Sequence, residues 1–190
     1  MRGEGAAARR GHTLLELLMV VFVIALMGGL ALPRLRLERS QTDAAARTLG
    51  MAMLTARADA VSRGHNVLVV FDTARVQLRT VWDINNNRIA DATEKSRPFV
   101  LGERVVFGRG NGIPAFNGAT EQLPAMRSSR GMPVIVVQRN GGLDRAGTVY
   151  FTARGGLRAN AIPDSRAVRL DRSTGRATVF VYASNTWRRQ

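Results

Sequence analysis

Between Thr13 and Leu32 apolar side chains follow one another almost without interruption, and Glu16 near the start is the one ionisable residue among them. As a helix rising about 1.5 Å per residue, the run reaches about 30 Å, the thickness of a bilayer's hydrocarbon core. A spanning helix satisfies its own backbone amides, so the run predicts a membrane anchor. Arg2, Arg9 and Arg10 precede it, which predicts a cytoplasmic N-terminus with the rest of the chain on the far side. A secretory signal would need a shorter apolar stretch, about 7–15 residues, and a small-residue cleavage site after it. Here Pro33-Arg34-Leu35-Arg36 follows instead.

The pattern then changes period. From Arg34 to Arg63, Leu49, Met53, Ala56 and Ala60 recur at helical spacing, with Arg47, Arg57 and Asp59 elsewhere around the wheel. This predicts an amphipathic extension of the anchor that ends at Gly64 and needs something to cover its stripe. Gly28-Gly29 and Pro33 are placed to loosen or kink the junction. Beyond Gly64 the period falls to that of strands. Asn66–Asp72 and Val76–Val81 predict a hairpin closed by Asp72–Arg75. Arg104–Phe107, Pro133–Gln138 and Thr148–Thr152 are further strands. Arg166–Leu170 and Arg176–Ala183 predict a last hairpin turning through Asp171–Gly175. Residues 108–132, punctuated by glycine and proline, predict a long loop. A long helix whose stripe is buried by an antiparallel sheet is an α+β fold. The divisions expected are a leader (1–11), a transmembrane helix (12–33), an amphipathic extension (34–64) and a β-rich domain (65–190).

Charge adds one point. The 28 basic residues against 14 acidic give +14, and Lys95 alone is lysine. So arginine-rich a composition, with abundant alanine and glycine, reads partly as coding bias. Distribution says more: from Arg145 to Gln190 nine arginines face Asp164 and Asp171, a local excess of +7. The absence of cysteine excludes a disulfide or a thiolate metal site.

A carboxylate within a spanning helix costs about 2.5–3.5 kcal/mol at the centre and less near an end. In the first turn the helix dipole favours it. Cleavage after Gly11 would create an α-amine at His12, one turn from Glu16, and in a stack of helices the Glu16 of one subunit would neutralise the amine of its neighbour. Gly11-His12-Thr13-Leu14-Leu15-Glu16-Leu17-Leu18 resembles the class III leader motif of type IV pilins and type II secretion pseudopilins. The resemblance implies removal of residues 1–11 by a prepilin peptidase, N-methylation of His12, and an assembly role for Glu16. It also implies other pilins and an inner-membrane assembly platform as partners. His12 departs from the family's usual Phe. The element order, Phe151-Thr152-Ala153-Arg154-Gly155, the hairpin Val168-Arg169-Leu170…Thr174-Gly175-Arg176 and Trp82-Asp83-Ile84-Asn85-Asn86-Asn87 are similar to the GspH/FimT-type minor pilins.

Three kinds of chemistry have candidates. Asp83, Asn85, Asn87 and Asp91, with Glu94 beyond, set oxygens at alternate positions like the start of a calcium loop. Arg88 stands where such a loop wants glycine, and the closing glutamate is read as out of register. The expectation is therefore a metal-free Asx turn, whose side chains bond their own backbone. Catalysis finds little: His12 and His65 are the two histidines, and neither a Gly-x-Ser-x-Gly elbow nor a phosphate loop is present. The chain is expected to be no enzyme and to need no cofactor. Finally, a hairpin displaying Arg169, Arg172 and Arg176, with Trp187, Arg188 and Arg189 on the tail, suits phosphates and one stacked base. Some FimT-like proteins bind incoming DNA through arginines around their final Gly-Arg hairpin. That resemblance implies DNA as a partner of Arg172 and Arg176, with Arg154, Arg188 and Arg189 as neighbours. The reading is a filament subunit, alternatively one that also captures DNA.

Overall fold

The computed structural model describes residues 13–116, 128–129, 131–157 and 164–190, the side chains of 28–38 and 128–129 excepted. Contacts divide the chain after Leu37 into two compact units. One helix, α1 (Leu14–Arg63), is assigned across both. It continues through Gly28-Gly29 and Pro33, where the side chains lie outside the described residues. Its first turn is capped by Thr13, whose hydroxyl and carbonyl both accept the Glu16 amide, at 3.3 and 3.0 Å. Its last turn closes on Gly64, which donates to Ala60 O at 3.1 Å from a left-handed backbone with φ of 69°. Glycine occupies that conformation without steric cost.

In the first unit every described apolar side chain from Leu14 to Met27 is exposed. Among the described residues no stretch of helix is long and apolar enough to cross a membrane. The apolar run itself goes on to Leu32, past the last described side chain of that unit.

Among the described residues the second unit holds ten strands in two antiparallel sheets. The first runs β3 (Ser96–Val100), β2 (Gln77–Asp83), β1 (Asn66–Asp72), β6 (Met132–Val137), β5 (Ser128–Ser129). The second runs β10 (Thr186–Arg189), β9 (Ala177–Ala183), β8 (Ser165–Leu170), β7 (Gly147–Ala153), β4 (Val105–Phe107). Strand alternation sorts the core. Val67, Val69 and Phe71 of β1 join Leu49, Met53, Ala56 and Ala60 of α1 and Val149, Phe151, Val168 and Leu170 of the second sheet in one cluster. The alternate residues Leu68 and Val70 face the other way, into a smaller cluster with Val81, Ala90, Val134 and Val136. The helix stripe predicted from spacing is thus the buried one, and both sheets share its cover.

Ionic contacts fix the helix from the side. Arg166 of β8, 5% exposed, donates Nε to Asp43 and Nη1 to Asp164, and Thr42 donates its hydroxyl to Asp164 at 3.2 Å. Burial works against the Arg166 charge, but the bonds to Asp43 and Asp164 prevail, and the guanidinium is held more firmly protonated than usual.

Three strands depart from the sequence expectation. β3, not expected from the sequence, carries Pro98, which is tolerated because β3 is a sheet edge and Pro98 costs the ladder with β2 no donor. β5 falls inside the stretch expected to be an uninterrupted loop, and β10 in what reads as a charged tail. The β9–β10 hairpin turns through Ser184 and Asn185 with φ of 51° and 59°. Two consecutive positive φ values match a type I′ turn, whose twist suits paired strands.

Candidate functional site

At the head of α1, the Thr13-x-x-Glu16 spacing is that of a capping box, in which the hydroxyl bonds the third amide and the acid reaches back. The Thr13 half is present at 3.3 Å. Thr13 therefore starts the helix through the backbone amide of Glu16. Glu16 introduces a continuous exposed apolar surface: Leu17, Leu18, Met19, Phe22, Ile24 and Met27 are each at least 60% exposed. Gly11 and His12, the expected cleavage and methylation residues, and Arg2, Arg9 and Arg10 lie outside the described residues.

On the second sheet, cross-strand register decides which arginines meet. Arg169 pairs with Thr178, and Phe180 pairs with both Ala167 and Arg189. Directly paired residues share a face. Arg169, Arg176, Thr178, Phe180 and Arg189 accordingly line one open groove of about 480 Å³, on the face opposite Val168 and Leu170. Asp171 closes one end. It accepts from the Ser173 hydroxyl at 2.7 Å, the Thr174 amide at 2.9 Å and the Thr174 hydroxyl at 2.8 Å. These bonds, the Ser173 hydroxyl first, pull its pKa down from 3.8 to about 2. The turn needs Gly175, since φ is 66° and a Cβ there would meet Gly141 O at 2.4 Å.

The other expected contacts disperse. Arg172 lines a separate hollow with Gln138, Asn140 and Leu143. Arg188 alternates with Arg189 and so faces away from the groove. Arg154 opens the 3-10 turn Arg154–Leu157 after β7 and is not part of this groove. Trp187, expected to stack a base, has another occupation. Its indole N–H donates to Pro114 O at 3.2 Å, and its ring packs against Phe116, Tyr150 and Tyr182 with centroids 6.3, 5.8 and 5.2 Å away. Phe180, which sequence reading did not single out, is the aromatic that lines the groove, and its ring too is engaged, packed on Phe116 with centroids 4.3 Å apart. His65 Nδ1 is buried with no hydrogen-bond partner among the described residues, so no serine or carboxylate engages it there.

Asp83, Asn85 and Asn87 form nested turns. Asp83 Oδ2 accepts the Arg88 amide at 3.0 Å, Asn85 Oδ1 the Asn87 amide at 3.1 Å, and Asn87 Oδ1 the Ile89 amide at 2.7 Å. Asp91 Oδ2 accepts from the Asn85 and Asn87 amide groups, at 3.3 and 2.9 Å. The expected self-bonded turn is therefore present. The register of Glu94 needs correcting: with Asp83 counted first, Glu94 is twelfth, the place of the closing glutamate in a calcium loop.

A helix headed by an exposed apolar run and followed by an antiparallel α+β domain defines a pilin-type subunit. The chain is 31% identical over 168 residues to the pilin-like protein PilA1 of Thermus thermophilus, covering 86% of this chain and 99% of that protein. It belongs to the type IV pilin and pseudopilin family, whose members are generally structural rather than enzymatic. Two solved structures of the minor pseudopilin EpsH, from the type II secretion system of Vibrio cholerae, are similar at 14% and 13% identity. Their TM-scores are 0.47 and 0.39, covering 77% and 80% of this chain and 99% and 94% of theirs. No protein-family model matches the chain.

Proposed function

We propose that this chain is a minor pilin or pseudopilin of the GspH/FimT type. It inserts once in the inner membrane through its N-terminal helix with the β domain outside the cytoplasm. Prepilin peptidase cuts it after Gly11, His12 is methylated, and the helix packs against other pilins in a filament built on an inner-membrane platform. The observation that carries this reading is the uncovered apolar surface from Leu14 to Met27 with Glu16 at its head. Such a surface is costly in water, and bilayer or neighbouring helices remove the cost. Glu16 offers the charge that pairs with a neighbour's new α-amine.

Two variants separate pairing from capping. Glu16→Gln keeps a capping-box residue and removes the charge; Glu16→Ala removes both. Both are expected to insert and fail to enter filaments, read by immunoblot of sheared filament fractions. Normal entry of Glu16→Gln rejects charge pairing. Gly11→Ala should retain the leader, and a mature product of normal mass from that variant rejects the cleavage site.

The arginine groove supports a second reading, capture of DNA. Three guanidiniums converging on one open groove, floored by the half-buried Phe180, suit phosphates. Full-length protein in detergent should bind DNA with a steep salt dependence. Arg176→Ala with Arg189→Ala should weaken binding more than Arg172→Ala, since Arg172 lies off the groove. Equal losses reject the groove as the site.

A further inference from the structure

Asp83 to Glu94 connects β2 to the segment that leads into β3. Oxygen-bearing side chains stand at its first, third, fifth, ninth and twelfth positions: Asp83, Asn85, Asn87, Asp91 and Glu94. Ile89, the seventh, offers its backbone carbonyl. That is the ligand order of a calcium loop, here strung between strands instead of helices. The sixth residue of such a loop makes a sharp turn that favours glycine; Arg88 occupies it with φ of 62°. The eighth, Ala90, is buried in the smaller apolar cluster against Leu68, Val70 and Val136, which ties the loop to the sheet.

Spacing and turns are not by themselves a site. The further observation is Asp83. Its side chain is fully buried. One oxygen, Oδ2, accepts the Arg88 amide inside the loop, and the other, Oδ1, has no hydrogen-bond partner among the described residues. A buried carboxylate oxygen without a partner is costly, and a cation beside it removes that cost. We propose that residues 83–94 are a calcium-binding loop, with Asp83, Asn85, Asn87, the Ile89 carbonyl, Asp91 and Glu94 as its oxygen ligands.

The loop must rearrange to close. Among the described residues no three acidic or histidine side chains are gathered closely enough to hold a metal. Glu94 instead bridges the loop's two ends, Oε1 accepting the Ile84 amide at 3.0 Å and Oε2 the Asp91 amide at 3.2 Å. Binding turns this carboxylate inward from those amides. An all-oxygen set containing two carboxamides and a carbonyl suits the larger, adaptable coordination shell of calcium better than magnesium's rigid octahedron. Three carboxylates beside the Arg88 cation put the affinity at about 10⁻⁴–10⁻³ M, the range of extracellular modules. Calcium binding by the loop does not require filament assembly.

The test uses full-length protein in detergent, with calcium, magnesium and terbium as probes. Calcium at about 5 mM should raise Tm by about 3–6 °C, and magnesium at the same concentration by far less. Trp82 adjoins Asp83 and should sensitise terbium luminescence that calcium displaces. Glu94→Gln, which keeps one acceptor oxygen for the displaced amides, should weaken binding at least tenfold, and Asp91→Asn more mildly. Arg88→Gly relieves the positive φ and removes the cation, and should tighten binding several-fold. No calcium shift, an equal magnesium shift, or a full calcium response in both Glu94→Gln and Asp91→Asn overturns the site.

Discussion

The two halves of α1 are both apolar, and they solve different problems. From Leu14 to Met27 the side chains are large and uncovered. From Thr42 to Ala60 the buried face is mostly alanine: Ala45, Ala46, Ala52, Ala56 and Ala60, with Leu49 and Met53 between. Small residues let a helix lie close against two sheets, and a core packed at that density has no space for larger ones. Large residues left in the open are unsatisfied in an isolated chain. One half of the helix belongs to the fold; the other is left uncovered by the described residues.

Substitutions sharpen this contrast. The largest loss is expected from Arg166→Met, which strips the buried partner from Asp43 on the downstream half and from Asp164. Removing one side of a buried pair costs about 3–5 kcal/mol, so denaturant unfolding should report a loss of that order. A result under about 1 kcal/mol would mean the pair behaves as a solvent-exposed one. Next, Ala56→Leu overfills the helix–sheet interface and should cost about 1–3 kcal/mol. The matching change upstream, Phe22→Ala, should leave domain stability within about 0.5 kcal/mol while reducing filament incorporation; a matching stability loss would erase the distinction between the halves. The mildest probe is acid. Asp171 is depressed from 3.8 to about 2, so its contribution to the turn is complete above pH 3.8 and is lost as pH falls through about 2. Amide exchange at Thr174 should therefore stay slow down to about pH 4 and speed up below it; acceleration between pH 6 and 5 contradicts the assignment.

What the sequence revealed follows from how local each signal is. β1 is bounded by Asn66 and Asp72 around five apolar residues, so both its ends and its type were readable. The helix stripe was readable because Leu49, Met53, Ala56 and Ala60 keep one spacing. β3 was hidden by Pro98, and β10 by arginines that resemble a phosphate-gripping tail. The Arg166–Asp43 contact joins residues 123 apart, and no local pattern announces it. For the arginines, composition gave the excess, but pairing register chose which ones share a face. Arg176 and Arg189 were foreseen there; the separation of Arg172 depends on a fold-back of residues 138–143, where Leu143 donates to Arg172 O at 2.7 Å.

Pro98 on β3 and Arg188-Arg189 on β10 sit on strands that each close one side of a sheet. A missing donor on one margin and crowded like charge on the other both discourage another chain from adding a strand there. Growth of either sheet by strand addition at these two margins is therefore suppressed, and with it one route to cross-β aggregates.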